Sequence, residues 1–380
     1  MTAPRVLLLH NRYRLEGGEE RALELQAAAL ERAGIEHRTL VRASEAAGSA
    51  RAATALLRGG ADPDEVRRAV EQLGATVVHC HNSQPLFGPR GLTAAREAGA
   101  RVVLHLHSFR LFCSIGVAFR DGQPCFRCRG RFTLPGFVLN CRGSLPEAAV
   151  YTTGLALHQP AVFEAVDRFL APSRYAVGQL VRLGLPADRV EALPHHLPPE
   201  AIDDHSRADG GAYALFAGRL SAEKGPDLAI EAARLSGVPL RVAGEGPLAE
   251  ELRQRAAGAP VELLGRVPPA RMRELVRGAA LLVAPSRGGE TFGLVALEAM
   301  GAGVPVVAAR TGGLPEVVGD ERCVPRGDVD ALAAAMAALW ADPGRRRAEG
   351  DALIARVRER FGEERYLRDL LGVYERLENG

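Results

Sequence analysis

The feature that most constrains this chain is an alternation of two patterns. Short apolar runs rich in valine and leucine recur at Val6–Leu9, Thr76–Cys80, Val102–Leu106 and Phe169–Pro172, and again at Tyr213–Gly218, Leu240–Gly244, Val261–Gly265, Leu281–Pro285 and Val304–Ala308. Runs of that length and composition suit strands covered on both faces. Between them lie stretches with helical periodicity, such as Glu19–Ala33, Asp64–Leu73, Asp227–Leu235 and Arg271–Arg277. Strand–helix alternation predicts parallel sheets in doubly wound α/β domains. The two sets of runs are separated by a Pro-, Asp-, His- and Gly-rich stretch at 194–211 without periodicity, which reads as a linker. At 380 residues the chain is too long for one ordinary core. The expected plan is therefore a first domain at 1–193, a second at 212–360, and a terminal amphipathic helix at 361–380 that crosses back to the first. An irregular stretch at about 109–147 is an insertion in the first domain.

Charge excludes several function classes. Lys plus Arg number 48 and Asp plus Glu 46, so the net charge of +2 gives no electrostatic argument for a nucleic-acid partner. No apolar stretch reaches the length that spans a bilayer, and the run Val6–Leu9 is too short for a signal peptide. The expectation is a cytoplasmic protein that can touch a membrane peripherally. In a reducing compartment its six cysteines should not form a disulfide framework.

Three segments carry chemistry. In PSRGGETFGLVALEAMGAGVPVV, residues 285–307, a strand end is followed by a glycine-containing loop, Glu290 and then a helix through about Met300. Ligands of open parallel sheets bind beyond the carboxyl ends of strands, where this loop falls. The amides of Thr291, Phe292, Gly293 and Leu294 would offer a phosphate site at the first turn. Glu290 and Glu298 would stand roughly 12 Å apart on a continuous helix, which suits one carboxylate on a sugar and another on a ribose with a diphosphate between. In FAGRLSAEKGPDLAI, residues 216–230, Arg219 and Lys224 follow a strand and can neutralise that diphosphate. In NRYRLEGGEER, residues 11–21, Gly17 and Gly18 let backbone approach a ligand. Each feature alone has a plainer reading as surface charge or an ordinary turn; their joint order is what points to one site.

Taken together these segments resemble glycosyltransferase family 4, enzymes of the GT-B fold in which two Rossmann-like doubly wound domains face across a cleft. The similarity is carried by Glu290-x7-Glu298, GRLSAEKG, LLGRVP, the early GGEE and the closing RYLRDLLGVYERL. The resemblance implies a retaining, metal-independent transfer of a sugar from a UDP- or GDP-type nucleotide diphosphate sugar to a hydroxyl acceptor that the sequence does not identify. It implies that Glu298 binds the ribose, Glu290 the transferred sugar, and the amides of Phe292, Gly293 and Leu294 the diphosphate with Arg219 and Lys224. It places the Arg266–Val267 loop against the base and Gly18 near the phosphates or sugar. Competing readings are a nucleotide-sugar epimerase or phosphorylase on the same architecture, or a non-catalytic sugar-nucleotide binder. Lys224 is the chain's one lysine, and its place in GRLSAEKG leaves none for a pyridoxal Schiff base.

HCHN at 79–82 and HLHS at 105–108 end two neighbouring strands. By the resemblance His107 is the sugar-contacting catalytic histidine, with Ser108 where the family often has Asp or Asn. His79 and His105 read more simply as buried strand residues than as part of a four-histidine metal site. Cys113, Cys125, Cys128 and Cys141 form Cys-x11-Cys-x2-Cys-x12-Cys, a spacing compatible with a structural zinc site, with disulfides or with unligated thiols. Some family members carry a similar insertion. Cys80 and Cys323 read as small buried hydrophobes.

Overall fold

The computed structural model describes residues 3–12, 17–44 and 48–379. Tyr13–Glu16, inside the glycine segment 11–21, lie outside the described residues. The chain divides into two compact units: the first is Met1–Ala118, Cys125–Pro194 and Glu364–Gly380, and the second is Phe119–Pro124 and His195–Glu363.

Unit 1 is built on a parallel sheet of β1 (Val6–Arg12), β2 (His37–Ala43), β3 (Val77–Asn82), β4 (Arg101–His105), β7 (Arg168–Ala171) and β8 (Val190–Ala192), in the order β2-β1-β3-β4-β7-β8. Val6 through Leu9 are all fully buried, as expected for a central strand with helices on both faces. β2 and β8 have no counterpart among the apolar runs. Both are edge strands, and β2 reads HRTLVRA with three of its seven residues exposed. An edge strand needs less apolar character and so leaves a weaker trace in sequence. Within the insertion the two-residue strands β5 (Phe119–Arg120) and β6 (Gln123–Pro124) pair antiparallel, and they group with the second unit.

The last helix, Glu363–Glu378, places Tyr366, Leu370, Val373, Tyr374 and Leu377 in the same apolar cluster as Val6, Leu8 and Val77. Their spacing is that of one helical face. The helix also brings polar groups inside. Tyr366 Oη donates to Gln26 Oε1 at 2.7 Å, and Gln26 Nε2 donates to Tyr374 Oη at 3.2 Å. The Tyr374 hydroxyl, having accepted that bond, lies 2.8 Å from His79 Nδ1.

Unit 2 repeats the plan with β9 (Ala214–Ala217), β10 (Leu240–Ala243), β11 (Val261–Gly265), β12 (Leu281–Ala284), β13 (Val306–Ala309) and β14 (Cys323–Val324), all parallel, in the order β11-β10-β9-β12-β13-β14. After Pro194, which belongs to the first unit, the stretch 195–211 is packed within this unit. The Leu197 amide donates to Phe361 O at 2.9 Å, Arg346 Nε donates to Ala208 O at 2.7 Å, and a Cβ on Gly211 would stand 2.3 Å from the Ala280 backbone. Its bonds run to loops and helix ends rather than along a ladder, so no periodicity marks it. No described helix is long and apolar enough to cross a membrane.

Candidate functional site

Three adjacent strands of unit 2, β9, β12 and β13, send loops from their carboxyl ends to one residue, Glu290. The loop after β9 carries Lys224, whose Nζ stands 2.7 Å from Glu290 Oε2. The loop after β12 carries Ser286, whose hydroxyl donates to the same oxygen at 3.4 Å. The turn after β13 holds the backbone, since the Gly313 amide donates to Glu290 O at 3.0 Å. The close approach depends on two glycines in the left-handed region. Gly225 has φ 66° and a Cβ there would lie 2.4 Å from Pro285 O; Gly312 has φ 61° and a Cβ there would lie 2.0 Å from Glu290 O. A side chain at either position is both strained and obstructed. Gly312→Ala is expected to displace Glu290 and lower kcat/KM roughly a hundredfold, as a nucleotide-release assay will read, with circular dichroism checking that the variant folds.

Burial works to raise the Glu290 pKa. The charge and hydrogen bond of Lys224, the Phe292 amide and the Ser286 hydroxyl outweigh it and hold the carboxyl below its ordinary range. Glu290 is therefore an anion at neutral pH, ready to accept hydrogen bonds from hydroxyl groups.

The helix after this loop begins later than the sequence suggests. It spans Leu294–Gly301 with Gly293 as N-cap at φ 105°. Residues 290–293 are not helical, so the roughly 12 Å spacing of Glu290 and Glu298 along a continuous helix does not apply. The amides also differ from expectation. That of Phe292 is directed at the Glu290 carboxylate, and those of Ala296 and Leu297 bond to Gly293 O at 3.0 and 3.1 Å. The amides of Leu294 and Val295 start the helix, and no side chain caps it. Thr291 and Phe292 are buried, with the Phe292 ring edge-on to His195 at 4.9 Å. Glu298 lies half-buried on the second turn.

Arg219 is exposed on the loop after β9. Arg266 and Val267 follow β11, two strands from β9, and Val267 packs against the apolar cluster that holds Phe292 and Leu297. A residue that the sequence reading missed is Asp227, which grips Arg287 through two bonds of 2.6 Å and ties the β12 loop to the helix Pro226–Ser236. The signal was present as an arginine inside PSRGGE, but without a third dimension it reads as surface charge.

Asp227 gives a pH test. Burial raises its pKa, but the hydrogen bonds and charge of Arg287 more than compensate and hold it below the ordinary 3.8. A carboxyl depressed in the fold contributes stability that is present above its unfolded pKa and lost as pH falls through the folded one. Asp227→Asn is expected to cost about 1–3 kcal/mol at neutral pH. Urea titrations should show that gap shrinking below pH 3.8.

In unit 1, four histidine rings pack side by side at the ends of β3 and β4. Ring centroids lie 4.9 Å apart for His79–His81, 5.6 Å for His81–His105 and 4.3 Å for His105–His107. His81 Nδ1 and His107 Nε2 are 2.9 Å apart, one donating and the other accepting. Burial drives the His79 pKa down to about 3, so that ring is neutral. One ring nitrogen from each of His81, His105 and His107 lies within 4.8 Å of the others, the one such His/Cys/Asp/Glu group among the described residues.

Gly17 precedes the helix Gly18–Arg32 in an extended conformation, its amide donating to Glu20 Oε2 at 2.8 Å. A Cβ on Gly18 would meet nothing within 4 Å, so open space rather than packing surrounds it. The same helix start supplies Glu19, also unmarked by the sequence reading. Burial raises its pKa, Arg110 opposes this, and the Ser108 hydroxyl bonds to it. Ser108, where an Asp or Asn was expected, thus meets a carboxylate from another element.

The four insertion cysteines form no disulfide. Burial first, then the proximity of Cys113, Cys141 and Cys125, pushes Cys128 up to about 11. Amides of Ile115, Ala118 and Gly116 face the Cys113 sulfur and that of Gly136 faces Cys128, which is the amide setting that a thiolate needs. No three of these sulfurs lie within 4.8 Å of one another, so a closed tetrahedral site would need them to draw together.

Two parallel-sheet Rossmann-like units are the architecture of the GT-B fold. Residues 17–196 match the family described as glycosyl transferase 4-like domain, and residues 199–356 match glycosyl transferases group 1. A D-inositol 3-phosphate glycosyltransferase of Acidothermus cellulolyticus is 32% identical over 314 residues, covering 74% of this chain and 68% of that one. The protein of that name from Segniliparus rotundus is 38% identical over 309 residues, covering 73% and 67%. The chain belongs to this glycosyltransferase family. Among solved structures, sucrose-phosphate synthase from Thermosynechococcus elongatus superposes with a TM-score of 0.73 at 19% identity, covering 99% of both chains. HepE of Anabaena in complex with UDP superposes at 0.67 and 17% identity, covering 98% of this chain and 99% of that one.

Proposed function

We propose that this glycosyltransferase moves a sugar from a nucleotide diphosphate sugar to a hydroxyl acceptor with retention of configuration and without a catalytic metal. The observation that carries the reading is the Lys224–Glu290 pair at 2.7 Å beside the uncapped start of the helix that bears Glu298. Lys224 and exposed Arg219 supply the positive charge for the diphosphate, with the open amides of Leu294 and Val295 and, on rearrangement, those of Phe292 and Gly293. Fixed cations and dipoles aimed at a leaving oxygen can stabilise its developing charge without Mg²⁺. Glu290 accepts from sugar hydroxyls and Glu298 from the ribose, while Arg266 and Val267 border the base. From unit 1, His107 contacts the sugar, and Gly17 and Gly18 leave room for phosphates or sugar. The neighbour solved with UDP supports a uridine donor, and the relatives' shared name makes D-inositol 3-phosphate the first acceptor to try. A structural zinc ion in the cysteine insertion and a cytoplasmic location complete the proposal.

The test incubates the full chain with radiolabelled UDP- and GDP-sugars, with and without acceptor. Acceptor-dependent nucleotide release and a product whose anomeric configuration matches the donor are expected; an altered sugar nucleotide formed without acceptor would make it an epimerase. EDTA should leave the initial rate unchanged, because no catalytic step uses a metal. A slow loss of activity accompanied by zinc release is expected from the cysteine insertion.

A further inference from the structure

The insertion has a side that the transfer reaction does not use. Between Asp121 and Glu147 the chain carries four arginines and no acidic residue. Within that span the short helix Leu134–Val138 sets Leu134, Phe137 and Val138 at i, i+3 and i+4, on one face. Its other face is fixed to the long helix Leu145–Ala165. The Thr133 hydroxyl donates to Thr152 O at 2.7 Å, and at Gly136 a Cβ would come within 2.9 Å of Thr152 Cγ2. The apolar face is thereby turned away from the protein, with Leu134 54%, Phe137 37% and Val138 67% exposed. Phe132, 57% exposed, stands just before it and bridges Arg129 across a tight turn. Arg127, Arg129 and Arg131 are exposed on the same loop.

Large apolar side chains gathered in water, bordered by cations and with no anion between them, mark an interaction surface. The charge selects the occupant. A hydrocarbon-lined surface that also carries negative charge is an anionic lipid bilayer, into whose headgroup boundary apolar side chains sink while guanidinium groups meet the phosphates. We infer that the cysteine-bearing insertion docks the protein on an anionic membrane through Phe132, Leu134, Phe137 and Val138, with Arg127, Arg129 and Arg131 as the electrostatic contact. The protein lies on the bilayer rather than through it. Cys128 and Cys141 sit directly behind this tip: Cys128 Sγ lies 3.7 Å from Thr133 O, and the Cys141 amide donates to Gly136 O at 3.0 Å. They brace a segment that has little core of its own. The inference holds whatever sugar is transferred.

The experiment is co-sedimentation of the full chain with vesicles of phosphatidylcholine alone and of phosphatidylcholine mixed with phosphatidylglycerol. Binding is expected to the mixed vesicles and to weaken with salt. Replacing Arg127, Arg129 and Arg131 together by glutamine should lower the partition coefficient roughly a hundredfold. Phe132→Ser with Val138→Ser should lower it roughly tenfold or more, and both variants should keep the wild-type melting temperature because the altered side chains are exposed. Wild type that ignores mixed vesicles, or variants that bind as wild type does, would overturn the inference. So would sedimentation equilibrium showing that this face pairs two copies of the chain, with Val138→Ser giving monomers.

Discussion

Glu290→Ala is expected to lower kcat by two to three orders of magnitude while the donor KM changes little. The carboxylate is kept ionised by Lys224, Ser286 and the Phe292 amide, and three loops are spent on positioning it. A group so held, acting on the sugar where charge develops, gives an interaction stronger in the transition state than in the ground state, and losing one such group costs about 10²–10³ in kcat. Single-turnover nucleotide release at saturating donor measures this directly. The alanine also leaves Lys224 without its 2.7 Å partner, so Glu290→Gln is the companion variant. It keeps the size and hydrogen-bonding capacity but not the charge, and should fall between alanine and wild type.

Glu298→Ala is expected to act on the other parameter. Its proposed work is to bind ribose hydroxyls, which are as far along in the ground state as in the transition state. Hydrogen bonds to a charged group contribute about 1.5–3 kcal/mol, so donor Kd should rise roughly ten- to a hundredfold with kcat little altered. Competition titrations with the free nucleoside diphosphate read the affinity without any chemistry. If the two alanine variants showed the same split between KM and kcat, the assignment of one glutamate to the sugar and the other to the ribose would be wrong.

Much of the fold is legible in the residues because central strands of a doubly wound sheet are buried on both faces. Val6–Leu9 and Leu281–Ala284 announce themselves as apolar runs for that reason. Edge strands such as His37–Ala43 escape, since an exposed edge admits Arg38 and Thr39. The candidate site was legible as a set of residue types but not as a geometry. Lys224 and Glu290 are 66 positions apart, and only the adjacency of β9 and β12 brings them together. The late start of the helix at Leu294 was hidden because GETFGLVALEAM contains no proline or polar cap to mark the boundary; Gly293 does so through its positive φ. Asp227–Arg287 and Glu19–Ser108 were hidden for the same reason as Lys224–Glu290: each joins loops or helix starts on different strands.

Equilibrium binding tests the central claim, that unit 2 grips a nucleoside diphosphate with these side chains. Calorimetric titration of the full chain with UDP and with GDP, repeated on Arg219→Ala and Glu298→Ala, separates the outcomes. The account predicts that wild type binds one of the two nucleotides and that both variants, still folded, bind it at least tenfold more weakly. Undiminished affinity in both variants, or no affinity for either nucleotide in the wild type, would contradict it.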